Sequence, residues 1–131
     1  MHMRRVSKPA LVMLLLLFNG AAWTSSVLAE QKPRKLSAAQ IRAKLVGMQF
    51  TDGVHWGEVY SPDGTLTSTD MGKKRVGTWR LQQDQLCTNL GQEGGSNCYE
   101  VWLSGTKAEL RLPGADESAL EGVLEKPPAR P

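Results

Sequence analysis

The chain changes texture twice along its length. Residues 10–18 (ALVMLLLLF) form an unbroken apolar run. Over 36–47 the apolar positions recur at helical spacing, with Ile41 and Leu45 four apart on one face. Ser37 followed three residues later by Gln40 is a capping box, Leu36 and Ile41 occupy the staple positions, and Gly47 supplies a stop. From there to residue 124, short β-branched and aromatic segments alternate with turn residues, the signature of a mainly β domain.

The strands expected on this pattern are Val54 to Tyr60, Thr65 to Thr69, Val76 to Leu81, Gln85 to Asn89, Asn97 to Leu103 and Ala108 to Leu112. Leu120 to Leu124 is a last strand or a short helix. Pro62-Asp63-Gly64 has turn chemistry, because proline presets φ and glycine accepts a positive one. Ala108, Leu110 and Leu112 alternate with Glu109 and Arg111, as a half-buried strand requires. The expected fold is one N-terminal helix followed by an antiparallel meander of six or seven strands, curled into an open or half barrel.

Arg4, Arg5 and Lys8 precede the apolar run, and Val27-Leu28-Ala29 follows it. A run of nine residues is short for a membrane span and right for a signal peptide. Residues 1–29 are therefore read as a signal peptide cut after Ala29, with an uncleaved anchor as the competing reading. Whether export uses the general or the twin-arginine route stays open. Residues 30–35 read as a flexible lead, 36–124 as a single β-rich domain, and 125–131 as a Pro-rich tail with too little apolar surface to fold. The expected location is the periplasm or the exterior.

Removing residues 1–29 changes the charge picture. Of 16 basic residues three lie there, leaving 13 against 13 acidic ones. The apparent basicity is thus the leader's, and nucleic-acid binding loses its support. Cys87 and Cys98 are the only cysteines, so an exported chain pairs them in a structural disulfide.

Chemistry-bearing residues are few. Asp52, His55 and Glu58 form D-x-x-H-x-x-E, but on a strand His55 faces away from the other two, so no metal or cofactor is expected there. No nucleophile elbow, zinc-protease helix or phosphate loop is present in the sequence. Lys73-Lys74-Arg75 reads as a solvated basic turn, with anion binding as its alternative. Trp56, Tyr60, Trp79, Tyr99 and Trp102 are the candidate binding residues. Large aromatics bury recognition area at low entropic cost, and they also fill small cores. The three tryptophans are evenly spaced, but their flanking residues disagree, which argues against a repeat.

Leu45-Val46-Gly47, Tyr60-Ser61-Pro62-Asp63-Gly64-Thr65, Gly77-Thr78-Trp79, Leu86-Cys87 and Cys98-Tyr99-Glu100-Val101 follow one another in an order that resembles small exported alphaproteobacterial proteins of unknown function. The resemblance covers about residues 36–112. It implies export and a small β-domain and brings no catalytic residue with it. Gly77-Thr78-Trp79 is also loosely similar to the G-x-W of lipocalins, which there opens the first strand and here lies mid-chain.

The function expected is non-enzymatic recognition, binding an envelope protein as an inhibitor or regulator. One alternative is carriage of a small apolar ligand on the concave sheet face, walled by Trp56, Trp79 and Trp102. The other is a small hydrolase built on His55 and carboxylates.

Overall fold

A computed structural model describes residues 20–22 and 31–129. The signal peptide read over 1–29 lies outside the described residues apart from 20–22, as do the last two residues of the tail. Among the described residues no helix is long and apolar enough to cross a membrane.

The elements in order are β1 (Arg34–Lys35), α1 (Ala38–Leu45), β2 (Gln49–Thr51), β3 (Trp56–Tyr60), β4 (Thr65–Asp70), β5 (Lys73–Gln82), β6 (Gln85–Asn89), α2 (Gly91–Gly94), β7 (Ser96–Ser104), β8 (Lys107–Arg111) and β9 (Leu120–Glu125). Every strand pairing is antiparallel. Strands β2 to β9 follow one another around a ring, and β9 returns to β2 through Phe50↔Leu124, so the sheet closes into an eight-stranded barrel. β1 is an additional strand that pairs with the lower half of β7 (Arg34↔Leu103), beyond the point where β6 begins.

The open six- or seven-strand meander is thus corrected to a closed barrel. The closing strand β2 has three residues, too few to leave an alternation in the sequence. Closure also needs β9 close to β2 at Gly122. A Cβ there would stand 2.6 Å from the Thr51 carbonyl oxygen and 2.8 Å from the Phe50 ring, so only glycine permits the approach. The lead expected over 30–35 ends in β1, and Leu120 to Leu124 is strand.

The helix follows its local code. Ser37 Oγ accepts from the Gln40 backbone N–H while the Gln40 side chain accepts from the Ser37 N–H. The Ala38 N–H donates to Asp84 Oδ1 in the β5–β6 turn, which fixes the helix to one end of the barrel. Its buried residues Ile41 and Leu45 plug that end.

Above them, the inward side chains Phe50, Tyr60, Leu66, Leu86, Val101 and Leu110 are fully buried and form the core. An eight-stranded ring is just wide enough for side chains to fill its interior. The barrel therefore has a closed end, under α1 and the β3–β4, β5–β6 and β7–β8 turns. Its other end is open and ringed by the β2–β3, β4–β5, β6–β7 and β8–β9 connections.

Candidate functional site

The open end is organised around Asp52. Its Oδ1 accepts from the backbone N–H groups of Val54 (2.9 Å), His55 (2.7 Å) and Trp56 (3.1 Å), and Oδ2 lies 2.8 Å from His55 Nδ1. These bonds, the Val54 N–H first, hold the Asp52 carboxyl well below the ordinary carboxylate range. They bend residues 52–55 into a tight loop, with Gly53 at φ +86°. The expected strand from Val54 begins only at Trp56, so His55 faces Asp52 rather than away from it. The Thr51 hydroxyl completes the loop, donating to the Trp56 carbonyl and accepting from the Gly53 N–H.

The loop turns its apolar side chain to solvent. Val54 is 82% exposed, and Met71, on the neighbouring β4–β5 turn, is 76% exposed. The two loops are joined by a hydrogen bond from the Met71 N–H to the His55 carbonyl at 2.8 Å.

Inside the rim, three adjacent strands set Glu58, Ser68 and Arg75 in one register row on the interior face. Trp56 lies one inward position above Glu58 and packs edge-on against Phe50, ring centroids 4.9 Å apart. Tyr60 lies one position below, and its hydroxyl donates to Glu58 Oε2. Tyr99 enters from β7, on the opposite wall.

Burial pushes the Glu58 carboxyl up, and the Tyr60 hydroxyl only partly offsets it. Burial, with the Glu58 charge second, raises Tyr60 well above its usual value and raises Tyr99 as well. Among the described residues no ion pair joins Glu58 to a cation, and the buried Arg75 Nε has no hydrogen-bond partner. Glu58, Arg75, Trp56 and Tyr99 all remain half-buried, whereas the layer beneath is fully buried. Solvent therefore reaches this polar layer through the open end.

The candidate aromatics separate into three groups. Trp56, Tyr60 and Tyr99 converge at the polar layer, and the Tyr60 ring also stands edge-on to Trp79 beneath it, centroids 6.3 Å apart. Trp79 is buried at the closed end, where its Nε1 donates to the Ser61 carbonyl at 2.8 Å and Arg42 lies over its ring at 5.8 Å. Trp102 is on the outer wall, under the Arg111 guanidinium at 4.3 Å. Arg111 also donates to Glu109, which accepts from Ser118 too, and the Arg111 bonds hold the Glu109 carboxyl low. Trp56, Trp79 and Trp102 thus share no common wall.

Cys87 and Cys98 are directly opposed across β6 and β7 and form the disulfide, Cα–Cα 3.9 Å. It closes the segment carrying α2 at the open end, where Leu90 packs against the core. Lys73-Lys74-Arg75, expected as a turn, begins β5, and Lys73 pairs with Glu93 of α2 at 3.4 Å.

Sequence reasoning missed Ser68 and Arg75. The signal was present in β5, where Arg75 shares the parity of Trp79 and Leu81 and so faces inward.

Among the described residues no three His, Cys, Asp or Glu side chains are placed to hold a metal ion. No side chain other than Asp52 is hydrogen-bonded to His55 among them. No family model, curated protein or solved structure matches the chain.

Proposed function

We propose that the chain is a non-enzymatic recognition domain of an oxidising compartment, the periplasm, and that it docks an envelope protein through the rim of its open end. The observation that carries this reading is the pairing of Val54 and Met71. Among the described residues they are the two most exposed large apolar side chains, and they stand on adjacent loops bonded to each other. Exposed apolar side chains presented together on braced loops are what a protein partner's cleft buries. The Cys87–Cys98 disulfide fits an oxidising compartment. Regulation or inhibition follows if the rim enters a functional cleft of the partner.

The filled interior weighs against carriage of an apolar ligand, because Phe50, Tyr60 and Leu66 occupy the space such a ligand would need. The lone Asp52–His55 pair, with no hydroxyl or thiol bonded to it among the described residues, weighs against a hydrolase.

The test is site-specific photo-crosslinking in the exporting cell. Photoreactive residues at Val54 and Met71 should give one discrete protein adduct, while the same residue at Thr106 in the closed-end turn should not. Identical patterns at both ends, or no adduct from the rim, would refute docking through the rim.

A further inference from the structure

Charge is unevenly divided along the chain beyond residue 30. Residues 31–51 hold five cations, Lys32, Arg34, Lys35, Arg42 and Lys44, and no acidic residue, whereas residues 52–131 hold eight basic residues against twelve acidic ones. The fold gathers those five at the closed end, on the lead, β1 and α1, and all five are exposed. Positive charge concentrated on one end draws anions there.

Between β1 and α1 lies a cavity of about 310 Å³. Gln31, Arg34 and Lys35 bound it on the strand side and Gln40 and Lys44 on the helix side, and among the described residues no Asp or Glu side chain lines it. Its walls are held by the fold. β1 is paired to β7, the Gln31 carbonyl accepts from the Ser104 hydroxyl, and the Ala38 N–H pins α1 to Asp84. Lys35 stands 3.4 Å from Glu100, but among the described residues neither Arg34 nor Lys44 is in an ion pair. Gln40 Oε1 is committed to the Ser37 N–H. The capping box thus leaves the two N–H donors of that amide spare at the cavity.

We propose that this cavity binds a phosphate group, with the Arg34 guanidinium and the Lys44 ammonium supplying charge and the Gln40 amide a neutral donor. The donors come from two facing walls, which suits a tetrahedral group whose oxygens point in several directions. A carboxylate presents two oxygens in one plane and engages one wall at a time. A cation would meet like charge. Lys32 and Arg42, outside the cavity on the same end, add attraction over roughly a Debye length. The phosphate can belong to a soluble molecule or to the headgroup of an anionic lipid. The inference does not rest on the rim reading, because the cavity and the Val54–Met71 edge are at opposite ends of the barrel.

The experiment is an NMR titration of the isotope-labelled exported protein with inorganic phosphate at constant ionic strength, following the Gln40 side-chain amide. Saturable shifts are expected, in the roughly millimolar range for so small a ligand. Affinity should fall about tenfold in Arg34→Gln, in keeping with the loss of a hydrogen bond from a charged group. Arg80→Gln, an equal change of charge at an exposed position of β5, should bind as the parent does. Should Arg34→Gln release β1, Lys44→Gln on the other wall makes the same comparison.

No saturable shift, equal affinity for acetate, or an equal loss in Arg80→Gln would overturn the assignment. A Val54→Ser/Met71→Ser protein should keep its phosphate affinity, which separates this site from the rim. Sedimentation with phosphatidylcholine vesicles, with and without phosphatidylglycerol, then distinguishes the sources. Binding only to the vesicles that contain phosphatidylglycerol, weakened by Arg34→Gln and competed by phosphate, identifies a lipid headgroup. Saturable phosphate binding without vesicle binding identifies a soluble ligand.

Discussion

The Met71 backbone N–H donates to the His55 carbonyl at 2.8 Å, so two loops from separate hairpins form one braced edge. The bond is backbone to backbone and leaves both Val54 and Met71 side chains free. Replacing those side chains by serine should therefore leave thermal stability nearly unchanged, within about 0.5 kcal/mol for such surface changes. The rim crosslink should disappear in the same protein. Loss of stability instead would show that the two side chains pack within the fold, and melting curves of the double variant check this.

Glu58 carries a pH signature. Its folded pKa is raised by burial, so the ionised form is disfavoured in the barrel relative to the unfolded chain. Below the ordinary glutamate value the group costs nothing; above it, stability falls until pH passes the raised folded value. Glu58→Gln keeps an acceptor for Tyr60 and removes this cost. The variant should match the parent near pH 4 and exceed it at neutral pH, as read by urea titrations at both. A constant difference across pH would place the effect elsewhere.

Asp52 behaves in the opposite sense. Its folded pKa is depressed, chiefly by the Val54 N–H. Its contribution is present above the ordinary aspartate value and fades as pH falls through the lowered folded value. Asp52→Asn should loosen residues 52–56 locally. Hydrogen exchange at Val54, His55 and Trp56 should quicken at neutral pH, with little change at the closed end. Unchanged exchange would mean that Thr51 and Gly53 shape the loop unaided.

The disulfide should contribute substantially. Closing a loop of this length restricts the unfolded chain by about 3 kcal/mol in the chain-entropy model. For a domain of this size that corresponds to a fall in Tm of roughly 10–20 °C on Cys87→Ala/Cys98→Ala. A shift of a degree or two would show that the β6–β7 pairing already restrains the segment in the unfolded state.

Ile41 and Leu45 are the plug's two fully buried contacts. Ile41→Ala should cost about 2–5 kcal/mol, the range for large-to-small core changes. A much smaller cost would mean that the helix docks loosely over the closed end, and a denaturant melt decides.

What was legible in the sequence was local. The capping box of α1 depends on residues three apart, and both of its hydrogen bonds form. Two cysteines allow one pairing, and it occurs. The alternation of Ala108 and Leu110 places both in the core. Barrel closure was not legible, because it joins Gln49–Thr51 to a strand more than 70 residues later in the chain. Nor did spacing fix the inward face of every strand. Trp79 and Trp102 both lie on strands, yet register puts one in the core and the other on the outer wall. His55 was misplaced for a different reason: the Asp52 carboxylate takes three backbone donors that a strand would have used.

β1 approaches from beside the β7–β8 turn, where the Gln31 carbonyl accepts from the Ser104 hydroxyl, and β9 ends where β2 begins. Lead and tail thus both join the barrel at its helix-plugged end. A tether, surface linkage or fusion attached through the lead would hold the protein by its base, with the mouth pointing away from the support.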